Sequence, residues 1–304
     1  MQFYQEPMHI ALHCNYKLPV RKYGGTQRRI MWLASALVDL GHKVYLLAQK
    51  GTRCEKAEVI EVKKEDLNLD GIVPESAQIV HLMQVPNRKV SKPSIYTLAG
   101  NNSSGRELHP NTLYLSRNHA IRHGSTHFVY NGLDPKKYIY REKKDDYFLY
   151  LSRISRKKGV DIAVKLAKEM GFKLVIAGGF WFDLSRKIRC VGRVGGIKKA
   201  QLLAGAKALI FPIRWEEPFG NVVIEALVSG TPVITTPHGS MPEIITPDVG
   251  FLCRNYEDLK SAVAHVDSID PKRCRQRVTE NFTAEIMAKN CLKYYERVIR
   301  TGHL

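Results

Sequence analysis

Residues 215–227 read WEEPFGNVVIEAL and follow a short apolar run, Ala208–Pro212. The run has the length and content of a buried parallel strand, and the stretch from Phe219 onward reads as a helix. A glycine, Gly220, stands where the helix opens and permits close backbone approach. The first turn of a helix presents free N–H groups and the positive end of its dipole, which together suit a phosphate or a developing anion. Glu217, on the loop, is placed to accept from sugar hydroxyls. Glu225, in the helix's second turn, is placed to accept from ribose hydroxyls. Taken alone, two glutamates eight residues apart are equally an ordinary strand–loop–helix with exposed carboxylates.

Outward from this segment, strands and helices alternate. Runs reading as strands are His9–Cys14, Val44–Ala48, Gln78–Met83, Ser94–Leu98, Thr126–Tyr130, Tyr147–Ser152, Lys173–Ala177, Ala208–Pro212 and Pro232–Thr235. The first helix follows Gly24-Gly25 with Thr26 as its N-cap; Ile30, Leu33, Ala34, Leu37 and Leu40 follow helical spacing, and Gly41 ends it. The alternation predicts doubly wound α/β architecture in two units. Asn131-Gly132-Leu133-Asp134 is a turn, a charged stretch follows, and a new strand begins at Tyr147. This places a boundary near residue 142: an acceptor-side domain 1–142, a donor-binding domain 143–282, and a last helix 283–304 packing back on the first. Open parallel sheets bind ligands beyond the carboxyl ends of their strands, so two facing sheets would enclose a cleft.

The bulk composition narrows the classes. The 304 residues carry 47 Lys and Arg against 29 Asp and Glu, a net charge of +18, which favours polyanionic partners such as phosphorylated substrates or anionic lipid. The charge is spread along the chain, as in Arg21-Lys22, Lys63-Lys64, Arg156-Lys157-Lys158 and Lys272-Arg273, and no nucleic-acid-binding motif accompanies it, so nucleic acid is not the expected partner. No apolar run approaches the ~20 residues of a membrane span, and the start of the chain does not read as a signal peptide. Six scattered cysteines without a CxxC pair fit reduced thiols, so the expected location is cytoplasmic, with peripheral contact to an anionic membrane.

Several short motifs now fall into order. Residues 215–227 resemble the E-x7-E signature of the retaining glycosyltransferases of family 4, which have the GT-B fold. Tyr23-Gly24-Gly25-Thr26-Gln27-Arg28 resembles that family's first loop, and Gly41-His42-Lys43-Val44 its entry to the second strand. Asn131-Gly132-Leu133-Asp134 resembles its hinge. Arg153 and Lys158-Gly159 match G-R-x-x-x-x-K-G, and TPHGSMPE at 236–243 matches its G-S-x-P-E stretch. The resemblance implies a retaining transfer from a nucleotide-diphosphate sugar to an unidentified acceptor, with no cofactor and no metal. Arg153 and Lys158 would hold the diphosphate in place of an ion, and with Glu217 they form the implied catalytic set. Glu225 would hold the ribose, Gly192-Arg193-Val194 would flank the base, and Phe219, Gly220, Asn221, Gly239 and Ser240 would line the donor. Gly24, Gly25 and Thr26 would bring an acceptor-side loop to the diphosphate. Trp215 would wall the cleft.

The pattern also breaks. Thr97-Leu98-Ala99-Gly100 puts Ala99 where the family has a histidine that touches the donor sugar. His81 alone remains of the family's paired histidines, and is read either as strand packing or as a cleft residue. Gln27 replaces the usual Glu, and the chain is trimmed around 84–94 and between Gly179 and Val191. His42 and His238 read as structural or surface residues. The alternative function is therefore a catalytically impaired nucleotide-sugar-binding protein. A binder of membrane or nucleic acid, and a phosphorylase on the same fold without a pyridoxal-binding lysine motif, stand behind it.

Overall fold

The computed structural model describes residues 6–20, 24–63, 65–66, 68–83, 89–102, 104–105 and 107–304. Arg21, Lys22, Tyr23, Lys64 and residues 84–88 of the trimmed stretch lie outside the described residues. The chain divides into two compact units, one holding residues 24–132 with both chain ends and the other residues 133–283.

The first unit carries β1 (His9–His13), β2 (Lys43–Ala48), β3 (Glu58–Glu61), β4 (Ile79–Leu82), β5 (Ser94–Thr97) and β6 (Thr112–Leu113). They form one parallel sheet in the order β3-β2-β1-β4-β5-β6. Helices α1 (Gly25–Asp39) and α2 (Arg117–Ile121) flank it. The second unit carries β7 (Phe148–Leu151), β8 (Leu174–Ala177), β9 (Ile188–Cys190), β10 (Leu209–Phe211), β11 (Val233–Thr235) and β12 (Gly250–Leu252). Its parallel sheet runs β12-β11-β10-β7-β8-β9. Around it lie α3 (Val160–Met170), α4 (Gly196–Gly205), α5 (Asn221–Val228), α6 (Met241–Ile244), α7 (Tyr256–His265) and α8 (Pro271–Asn281). Each sheet has the doubly wound strand order, which reverses between the unit's first and fourth strands, and that reversal is where such sheets bind ligands.

The last helix, α9 (Ala284–Thr301), belongs to the first unit, packs on α1 and buries Met287, Cys291, Leu292, Tyr295 and Val298. The division falls after residue 132, not near 142, because the intervening segment is bonded to the second unit. Leu133 N donates to Phe282 O at 3.0 Å, Arg275 to Pro135 O at 3.3 Å, and Arg141 N to Ser229 O at 3.3 Å. Two further expectations are corrected. The cap of α1 is Gly24 at φ 139°, with Thr26 inside the first turn, because the chain enters the helix through a conformation that L side chains rarely adopt. Thr126–Tyr130 forms only an isolated bridge, Phe128 to Tyr114, in place of a strand. Among the described residues no helix is long and apolar enough to cross a membrane.

Two histidines of the first unit are held neutral. His81 is fully buried on β4, its ring nitrogens against Tyr295 Oη at 2.6 Å and Thr97 Oγ1 at 2.7 Å, and burial with the nearby Arg29 cation keeps its pKa well below the ordinary value. His119 on α2 accepts from Leu115 N at Nδ1 and meets Gly100 O at Nε2, and burial lowers its pKa to about 3. In the unfolded chain both take up a proton near pH 6.5, so their contribution to stability is present above that pH and is lost as pH falls. Each steepens acid destabilisation by at most about 1.4 kcal/mol per pH unit, the His119 share ending near pH 3. Urea midpoints at pH 7, 6 and 5 are expected to fall progressively, with a shallower fall in His119→Asn.

Candidate functional site

The reversal point of the second sheet lies between β7 and β10, and the two loops that leave it are bonded to one another. After β7 the chain runs through a 3-10 turn at Arg156–Lys158 into α3, and after β10 it runs to α5. Arg214 N donates to Lys157 O at 2.9 Å, and the Arg214 guanidinium reaches Asp161 at 2.8 Å. The loops touch at Gly159, at φ 74°, where a Cβ would lie 2.0 Å from Pro212 O. Only glycine fits there.

This approach brings Lys158 onto Glu217. The Lys158 ammonium pairs with Glu217 Oε2 and lies 4.2 Å from the centre of the Trp215 ring. Trp215 Nε1 donates to the same Oε2 at 2.8 Å. Trp215 is therefore an anchor of the glutamate rather than only a wall. Glu217 Oε1 has no hydrogen-bond partner among the described residues. Arg153, also on the β7 loop, is exposed and its guanidinium makes no ion pair among the described residues.

The third wall comes from the loop after β11. Gly239 N donates to Glu216 Oε2 at 2.7 Å, Ser240 N to Glu217 O at 3.0 Å, and Ser240 Oγ to Phe219 O at 2.7 Å. His238 meets Glu216 Oε1 at 3.3 Å. Gly239 sits at φ 63°, and a Cβ there would come within 2.3 Å of the Glu217 backbone. Gly239→Ala is therefore expected to cost about 1–3 kcal/mol from the backbone conformation alone and to displace Glu217. Urea unfolding and donor-binding titration check the two effects separately. Phe219 is buried, and Gly220 and Asn221 open α5 at the edge of the same loop. Gly192-Arg193-Val194 follow β9, with Gly192 O accepting from Gly178 N at 2.8 Å, which ties them to the end of β8.

Glu225 lies deeper than its sequence suggests. It is 2% exposed, and its Oε1 receives the Lys199 ammonium at 2.6 Å and the Tyr138 hydroxyl at 3.0 Å. Lys199 stands on α4 and is itself buried. Neither partner was singled out from sequence. Ile197-Lys198-Lys199 reads as the solvated start of a helix, and only the fold turns Lys199 inward.

The remaining candidates lie in the first unit. Gly24, Gly25 and Thr26 open α1 beyond the carboxyl end of β1, at that sheet's own reversal point. Ala99 follows β5 on a half-buried loop, whose next residue, Gly100, is held by His119. His81 packs inside the sheet with both nitrogens occupied, so of its two readings the structure gives strand packing. His42 is structural, its Nδ1 accepting from Met8 N at 3.0 Å.

A family model described as "Glycosyl transferases group 1" matches residues 135–281. The matched residues lie within the second unit and make up just under half of the chain. An uncharacterized 42.6 kDa protein in the cps region of Klebsiella pneumoniae is 27% identical over 155 residues, 48% of this chain and 40% of that protein. The glycogen synthase of Mycobacterium tuberculosis H37Rv is 29% identical over 197 residues, 55% of this chain and 47% of that enzyme. The chain thus spans less than half the length of these curated relatives. Among solved structures, AviGT4, a glycosyltransferase involved in avilamycin A biosynthesis, matches with a TM-score of 0.82 at 24% identity, over 97% of this chain and 99% of that one. Anabaena HepE, solved in complex with UDP-glucose, matches with a TM-score of 0.70 at 13% identity, over 95% and 100%. The glycosyltransferase fold of these structures, GT-B, is the fold of this chain.

Proposed function

We propose that the protein is a retaining glycosyltransferase of family 4 that moves a sugar from a nucleoside diphosphate sugar to an acceptor. The observation that carries this reading is the Lys158–Glu217–Trp215 cluster at the reversal point, one loop away from the open start of α5. Departure of a nucleoside diphosphate accumulates negative charge on its phosphate oxygens. Lys158 and the first N–H groups of α5 are donors fixed before that charge appears, which is the arrangement that lowers such a barrier most, and the exposed Arg153 on the same loop adds a second cation. These cations take the part a metal ion would otherwise play. Glu225, fixed by Lys199 and Tyr138, accepts from the ribose, Gly192–Val194 flank the base, and Glu217 Oε1 orients the sugar. The HepE complex with UDP-glucose supports this class of donor.

Retention follows if the acceptor attacks from the face the diphosphate leaves, with a phosphate oxygen taking its proton. Gly24, Gly25 and Thr26 are assigned to the acceptor-side loop. The six free cysteines favour a cytoplasmic setting. The test is calorimetry with UDP-, GDP- and ADP-glucose in EDTA, beside hydrolysis and transfer assays. Donor binding with turnover supports the proposal, and loss of turnover in EDTA removes its metal-free part. Ala99 favours a second reading, a binding protein that does not transfer, and tight binding without turnover selects it. No binding of any donor overturns both.

A further inference from the structure

The connection between β8 and β9, residues 178–187, crosses one face of the sheet without a helix. Its burial alternates residue by residue. Trp181, Asp183 and Ser185 face inward, while Phe180, Phe182, Leu184 and Arg186 face outward. The inward set fixes the ribbon to the second unit. Trp181 packs on the cluster of Val160, Ala163 and Val164, and Asp183 pairs with Lys168 of α3 at 2.8 Å and accepts from Ser185 N at 2.9 Å. At the far end Lys187 Nζ donates to Gly171 O at 2.6 Å.

The outward set is bare. Phe180 is 82% exposed, Phe182 72% and Leu184 87%, so three large apolar side chains stand in water within five residues on a ribbon anchored from below. Single exposed apolar residues are ordinary, but a cluster of this density marks an interaction surface. Its border is cationic. Arg186, Lys187 and Arg189 are exposed within residues 178–190, where the one carboxylate, Asp183, is turned inward onto Lys168.

We infer that this ribbon docks the protein on an anionic lipid bilayer, with Phe180, Phe182 and Leu184 at the headgroup–acyl boundary and Arg186, Lys187 and Arg189 against lipid phosphates. Apolar tips ringed by Lys and Arg are what such an interface takes up, each adding to the other. Charge separates this occupant from a second copy of the chain, because a two-fold interface sets the same patch against itself and brings basic rim against basic rim. Chemistry separates it from single-stranded nucleic acid, since Leu184, the most exposed of the three, offers no ring on which a base can stack. The inference goes beyond the transfer reaction and does not depend on it.

The test is co-sedimentation of the full chain with phosphatidylcholine vesicles and with vesicles one-third phosphatidylglycerol, at 50 and 500 mM salt. Partitioning onto the anionic vesicles is expected to be at least tenfold stronger and to weaken with salt. The triple variant F180S/F182S/L184S is expected to lose at least tenfold of it, with an unchanged thermal midpoint because these side chains already stand in water. R186Q/K187Q/R189Q is expected to lose most of the preference for anionic lipid. The inference is overturned if the anionic vesicles are not bound at low salt, or if the serine variant partitions like the parent. It is also overturned if, without vesicle binding, the serine variant loses binding to single-stranded DNA or falls to half the parent's mass by light scattering.

Discussion

Lys158→Ala is expected to lower the rate of sugar transfer by about 10²–10³-fold, the loss typical when one fixed donor to a developing anion is removed. The side chain is held in place before any ligand arrives. Glu217 Oε2 binds it, Trp215 lies beneath it, and the same oxygen receives the indole N–H. An ammonium restrained in this way loses little freedom when a phosphate approaches, so its removal falls on the transition state more than on folding. The pair is mostly buried, the two side chains being 18% and 12% exposed, so loss of its counter-charge from Glu217 is expected to cost about 1–3 kcal/mol. Urea unfolding is therefore expected to shift modestly, by less than the fall in kcat implies. Glu217→Gln keeps an acceptor for Trp215 but removes the charge that restrains Lys158, and a smaller loss is expected. Single-turnover kinetics with saturating donor separates the two variants. Equal turnover in Lys158→Ala and the parent excludes the assigned role.

The pattern of what could be read from the chain follows from burial. Strands recognised as apolar runs are those flanked on both sides, such as β1 and β4 in one sheet and β7 and β10 in the other. The four strands that escaped, β3, β6, β9 and β12, are the four edges. Of these edges β3, β9 and β12 are half solvated and β6 is only two residues long, and Glu58-Val59-Ile60-Glu61 or Ile188-Arg189-Cys190 carries no continuous apolar run. The site divides in the same way. Arg153, Lys158, Glu217 and Gly239 were legible because their spacing and their glycines are properties of one loop at a time. Lys199 and Tyr138 were not, because their role exists only where α4 and the segment after residue 133 come together on α5. The boundary was set ten residues late for a related reason. The charged composition of 136–146 resembles a linker, yet Tyr138 and Arg141 are bonded into the second unit.

The buried pair at Glu225 gives the sharpest separation of folding from binding. Glu225→Ala removes the carboxylate with which the buried Lys199 ammonium is paired, a change that costs about 3–5 kcal/mol. At about 2–4 °C per kcal/mol for a unit of this size, the thermal midpoint of the second unit is expected to drop by roughly 6–20 °C. Lys199→Met strands the opposite charge and is expected to cost a similar amount. The double variant Glu225→Leu/Lys199→Met removes both charges, and most of the lost stability is expected to return, because a buried ion pair contributes little beyond satisfying its own partners. Donor affinity is expected to stay low in the double variant, since no carboxylate remains for the ribose. Tyr138→Phe removes one hydrogen bond to Glu225 Oε1 and is expected to cost about 1 kcal/mol. Thermal melts and donor titrations on the parent and these four variants make the comparison. A double variant that is stable and binds donor like the parent would show that Glu225 serves the fold alone, and the ribose would then need another acceptor.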